Sequence, residues 1–128
     1  MKKIIVLTVL LVLTVANVAM AVEISSFQGN WEGWRKLWGV GGGTEKPTDL
    51  VVENDKEPLR GAITYWPRGP FLQNVKAIPF NNGVVVGGEL YIKWSEENWV
   101  LLRLSGSALR GRFNSETARG EIVLFRKK

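Results

Sequence analysis

Phe27-Gln28-Gly29-Asn30-Trp31-Glu32-Gly33-Trp34-Arg35-Lys36-Leu37-Trp38, followed by Gly39-Val40-Gly41-Gly42-Gly43-Thr44, is the stretch on which the fold turns. It holds three of the six tryptophans in the chain. Asn30 to Trp38 reads as a long first strand, and Gly39 to Pro47 as a flexible loop, since glycine tolerates backbone angles closed to other residues and Pro47 discourages a ladder. In a regular strand Trp34 and Trp38 share parity with each other and not with Trp31, so they face opposite sides of the sheet. Both faces cannot be one interior.

Upstream, Lys2 and Lys3 precede an uncharged run from Ile4 to Ala21, and Ala19-Met20-Ala21 is a small-x-small cleavage pattern. Residues 1–21 therefore read as a cleaved secretory signal, with an uncleaved membrane anchor as the rival. Residues 22–128 are then a single domain, exported to a periplasmic or extracellular destination, with no membrane span left after cleavage. The net charge of +5 falls to +3 without Lys2 and Lys3, and the remaining basic residues are scattered. No nucleic-acid partner is expected from so mild a balance. With no cysteine in the chain, stability must come from burial and a cooperative sheet.

Downstream the chain reads as short strands separated by turn signals. Val22 to Gln28 is a short extended lead with a brief turn at Ser25-Ser26. Thr48 to Glu53 and Leu59 to Trp66 flank Asn54-Asp55-Lys56, a hairpin turn. Pro67-Arg68-Gly69-Pro70 punctuates, and Phe71 to Phe80 follows as a strand. Asn81-Asn82-Gly83 is the sharpest hairpin signal. Between Val84 and Trp94 the alternate residues Val84, Val86, Leu90, Ile92 and Trp94 form one apolar face, with Gly87-Gly88 as a bulge or bend. Trp99 to Leu104, Leu109 to Phe113 and Gly120 to Arg126 complete about eight strands. In the first of these, the wholly aliphatic set Val100, Leu102 and Leu104 faces inward, which leaves Trp99 at the outer surface or rim. Short links favour an all-β antiparallel meander, and closing it into a small barrel removes the exposed edges. A sandwich or a curved open sheet is the alternative.

Gly29-Asn30-Trp31 resembles the G-x-W element that opens the first strand of lipocalins, and Arg126 stands where that family carries a late arginine packed across the tryptophan. The middle-strand T-D-Y-like element of lipocalins is absent. The short chain and its G-x-W opening are also similar to avidin-type barrels. The resemblance implies a calycin-like barrel with a cavity for a small apolar molecule, in which Gly29, Trp31 and Arg126 serve closure.

The chain contains no histidine and no cysteine, so a Ser-His-Asp or Cys-His arrangement cannot be assembled, and the common nitrogen and sulfur metal ligands are missing. No cofactor and no metal site are expected. The paired carboxylates Asp55 with Glu57 and Glu96 with Glu97 lie in turns, where solvation is the simpler account. Gly41-Gly42-Gly43-Thr44 lacks the lysine and the strand-loop-helix context of a phosphate cradle. A non-enzymatic binding protein is the reading that remains. Its ligand is a small apolar molecule or a glycan, held in a barrel mouth or on an aromatic face by candidates Trp34, Trp38, Trp66 and Trp99. The alternative is a cell-envelope interaction or inhibitor module, and the bland account of the tryptophans is that loop or lead folds over them as core.

Overall fold

Eight strands in sequence order close on themselves as an antiparallel barrel in this computed structural model, which describes residues 23–38, 45–65 and 77–128. The strands are β1 (Gly29–Leu37), β2 (Glu45–Val52), β3 (Leu59–Tyr65), β4 (Ala77–Val86), β5 (Glu89–Lys93), β6 (Trp99–Ser105), β7 (Ala108–Asn114) and β8 (Arg119–Arg126). Each pairs with its sequence neighbour, and β1 pairs with β8 to shut the barrel. Among the described strands no edge is left to template association. The signal segment and Trp66 lie outside the described residues. Among the described residues no helix is long and apolar enough to cross a membrane.

Period-two alternation decides which side chains fill the barrel. Leu50 and Val52 on β2, Leu59 and Ile63 on β3, Leu90 and Ile92 on β5, Val100 and Leu102 on β6, Leu109 and Phe113 on β7, and Ile122 and Leu124 on β8 all face inward and are buried. Removing an aliphatic side chain of this size from water stabilises the fold by about 1.5–3 kcal/mol. The inward assignment of Val100, Leu102 and Leu104 holds, with Trp99, Leu101 and Arg103 on the outside.

Four expectations from the sequence are corrected. The lead over Val22 to Gln28 is not extended: Glu23–Phe27 winds as a 3-10 helix and buries Phe27 against the core. Pro47 lies within β2 instead of ending a loop. It pairs with Trp34 on β1, and the ladder with β3 begins one residue later at Thr48, so its missing N–H costs no bond on that side.

The other two corrections exchange a turn and a bulge. Asn81-Asn82-Gly83 is not a hairpin: it runs inside β4, where the register to β3 slips between the pairs Gly61–Phe80 and Leu59–Gly83 and leaves one extra residue on β4. There Asn82 Nδ2 donates to the Lys93 carbonyl at 2.6 Å and ties the irregular segment to β5. The hairpin is at Gly87-Gly88, where φ values of 60° and 79° and the flanking pair Val86–Glu89 define a two-residue turn. Two consecutive glycines take those angles without a Cβ penalty, so they win over the asparagines. The turn also breaks the supposed face from Val84 to Trp94. Val85 pairs with Leu90 and faces the core, whereas Val86 is 69% exposed.

Gly87→Val is therefore expected to destabilise the protein by about 1–3 kcal/mol through the strained left-handed backbone, and Gly88→Asn by less. Urea unfolding followed by circular dichroism checks this, and equal losses in the two variants would contradict the turn assignment.

Candidate functional site

The two ends of the barrel differ. At the end where β1 starts, Trp31 is 1% exposed and donates its indole Nε1–H to the Phe27 carbonyl at 3.0 Å, holding the 3-10 segment across the opening. Arg126, paired with Trp31 in the β1–β8 ladder, lays its guanidinium over the indole with Cζ 4.3 Å from the ring centroid. Its two Nη groups donate to the carbonyls of Ser26 at 2.7 Å and Gln28 at 2.9 Å. Gly29 adopts φ of 136°, and a Cβ there would stand 2.7 Å from Arg126 Nη1. One clip thus joins the first strand, the last strand and the plug, and packs this end.

The opposite end is where β1, β3, β5 and β7 finish. A cavity of about 280 Å³ opens there, lined by Tyr65, Ile78, Trp94, Asn98, Asn114 and Ser115. Trp94 stands edge-on to Phe80 with centroids 6.4 Å apart, and its Nε1–H donates to the Pro79 carbonyl at 2.8 Å. Its indole donor is therefore satisfied, and what it offers the cavity is apolar surface. Asn114 Nδ2 donates to the Glu97 carbonyl at 2.6 Å, and Asn98 Nδ2 to Ser95 Oγ at 3.0 Å, so the two turns of this rim are cross-braced.

Below the rim the interior turns polar. Arg35 shares parity with Trp31 and is only 7% exposed. Its guanidinium lies between two rings, with Cζ 3.7 Å from the Tyr65 centroid and 4.9 Å from that of Phe113. Stacking of this kind offsets part of the cost of taking the cation out of water. Its Nε is buried without a hydrogen-bond partner. Burial lowers the Arg35 pKa from its ordinary value, with the neighbouring Tyr65 phenol pulling the other way. Thr48, also buried, sits opposite Tyr65 on β2 and donates to the Lys46 carbonyl at 3.2 Å.

Tyr65 is the wall shared by the cavity and Arg35. Burial raises its phenol pKa above the ordinary 10, and the Arg35 cation acts more weakly in the opposite direction. A group whose folded pKa is raised contributes stability that is fully present below its unfolded pKa and is lost as pH rises through the folded pKa. Stability is thus expected to decline above about pH 10. An ultraviolet phenolate titration should place one tyrosine above that value, and Tyr65→Phe should remove that component. A surviving late component would contradict it.

Of the sequence-predicted ligand residues, the described ones, Trp34, Trp38 and Trp99, are not gathered into one place. Trp34 lies on the outer wall against Phe125, with centroids 5.8 Å apart. Trp38 is 47% exposed, just beyond the end of β1, where its N–H donates to the Arg119 carbonyl at 2.8 Å. There it lines an open groove of about 320 Å³ with residues of the β7–β8 turn. Trp99 packs on the outside against Tyr91 at 6.4 Å, and Trp66 is outside the described residues. Arg35, Tyr65, Ile78 and Trp94, which the sequence reading did not single out as ligand candidates, are the residues brought together at the open end. The signal for Arg35 was available, because the alternation that sends Trp31 inward sends Arg35 inward too.

The paired carboxylates hold turns. Glu57 accepts the Val85 N–H at 2.8 Å, and Glu96 accepts from Lys93 Nζ at 2.7 Å, a contact that lowers its pKa. Among the described residues no cluster of three or more histidine, cysteine, aspartate or glutamate side chains is placed to hold a metal ion. No protein-family model, curated protein or solved structure matches this chain.

Proposed function

We propose that this chain is an exported, non-enzymatic binding protein with a lipocalin-like barrel, which holds a small apolar molecule in its open end. The observation that carries the reading is the asymmetry of the two ends. The 3-10 segment, Trp31 and Arg126 plug one, while a cavity walled by Tyr65, Ile78 and Trp94 opens at the other. A concave, mostly apolar pocket with a few polar groups at its edge is the form that small-molecule sites take. Trp38, half-exposed beside the polar groove, would add a stacking surface for a sugar or for the outer part of a ligand.

Intrinsic tryptophan fluorescence tests this with a panel of fatty acids, retinoid-like probes and oligosaccharides. An apolar ligand should shift the emission, Trp94→Phe should remove most of the change, and Trp34→Ala should leave it. An emission that no ligand class perturbs, or a change that survives Trp94→Phe intact, would count against the mouth as the site. The second reading is a cell-envelope protein partner, favoured by Phe125, which is 38% exposed on the outer wall against Trp34. It predicts the reverse, with binding lost in Trp34→Ala.

A further inference from the structure

Among the described residues Arg35 is a buried cation with no anion paired to it. The strand carboxylates Glu32, Glu45, Asp49, Glu89 and Glu121 all occupy register positions that face outward, opposite in parity to the buried residues beside them, and the turn carboxylates at this end, Glu96, Glu97 and Glu116, are exposed. Segments 39–44 and 66–76, which join strands at this end, contain no aspartate or glutamate. Among the described residues Arg35 forms no ion pair, its Nε has no acceptor, and its guanidinium lies over the rings of Tyr65 and Phe113.

An uncompensated buried charge is costly, and two aromatic faces offset only part of that cost. A purely structural filler at this position would be served as well by methionine or leucine, with no charge to desolvate. The guanidinium is separated from the cavity by one side chain, Tyr65, which touches both. Its planar array of N–H donors matches the two oxygens of a carboxylate.

Resting on the reading of the barrel mouth as a small-molecule site, we infer that its ligand is an apolar molecule bearing a carboxylate, and that Arg35 pairs with that carboxylate. The apolar part lies along Ile78 and Trp94, and the acid passes beside Tyr65 to reach the Arg35 Nε and Nη groups. The ligand thereby supplies the counter-ion that the described residues do not. Arg35 is in this account a binding residue that sets specificity for acids over neutral analogues.

Calorimetric titration of the protein with decanoate, and in parallel with decanol and methyl decanoate, tests the inference. The acid should bind at least about tenfold more tightly than either neutral analogue, the worth of one charge-assisted hydrogen-bonded pair inside a protein. Arg35→Met should abolish that preference while leaving the melting temperature unchanged or higher, and Arg35→Lys should retain only part of it. Equal binding of acid and alcohol by the unsubstituted protein would overturn the assignment and leave the mouth as an apolar site. So would a preference that persists in Arg35→Met. Binding of none of the three would overturn the mouth reading itself. The comparison of acid with alcohol in the unsubstituted protein needs no variant to fold.

Discussion

Trp31→Ala is expected to lower the stability of the protein by about 3–5 kcal/mol, the range for truncating a buried tryptophan. That is a large part of the roughly 5–15 kcal/mol available to a small domain. Three losses coincide. The void left by the indole sits at the centre of the plugged end, among Phe27 and the first core layer. The Phe27 carbonyl loses its indole donor, and Arg126 loses the ring beneath its guanidinium. Trp31→Phe keeps much of the volume and sacrifices the Nε1–H bond, so about 1–2 kcal/mol is expected there. Urea unfolding of both variants measures the difference. A loss below about 1 kcal/mol in Trp31→Ala would mean that the seam between β1, β8 and the 3-10 segment is not what holds this end shut.

Gly111→Val is expected to cost about 3 kcal/mol, from a different cause. Gly111 faces inward on β7, and a Cβ there would fall on the backbone carbonyl oxygen of Leu101 in β6. The obstacle is main chain, so no side-chain rotation relieves it, and the pair Leu102–Gly111 must open. Displacing β7 also moves Phe113, two residues on, which carries the second ring against Arg35. The neighbouring Arg110→Val changes an exposed position and should stay within about 0.5 kcal/mol. Comparable losses at 110 and 111 would contradict the close approach of β6 and β7.

Alternation made the fold legible in the sequence. Val100, Leu102 and Leu104 against Trp99, Leu101 and Arg103 is a pattern that only a strand with one buried face produces, and it fixed β6 correctly. Eight such segments with short links lead to a meander, and the cost of exposed edges leads to closure. The misplaced hairpin arose where two neighbouring stretches competed for one turn. Asn81-Asn82-Gly83 and Gly87-Gly88 each satisfy the local chemistry of a hairpin. The choice between them is made by pairing to β3 and β5, a non-local fact that neither tripeptide nor dipeptide encodes. Because a turn resets the count of two, that one misplacement sent Val84 and Val86 to the wrong face while leaving Leu90 and Ile92 on the right one.

The site was less legible for a related reason. The sequence draws attention to tryptophans, but several of them serve the outer wall, as Trp34 does against Phe125 and Trp99 against Tyr91. The polar group that makes the interior unusual is Arg35, an unremarked charge between Trp34 and Lys36. Its proposed significance rests on what, among the described residues, does not face it, and no local stretch displays the absence of an inward carboxylate. Parity alone would have placed it inside. Only the closed barrel brings Tyr65 and Phe113, from opposite parts of the chain, onto its two sides.

The most direct test of the open end as the binding site is a map of backbone amide shifts in nitrogen–proton correlation spectra of the protein titrated with decanoate. The account predicts changes centred on Tyr65, Ile78, Trp94, Asn98 and Asn114, with Phe27, Trp31 and Arg126 at the plugged end unmoved. Changes centred on Trp34, Val51 and Phe125 of the outer wall, or no changes at all, would contradict it.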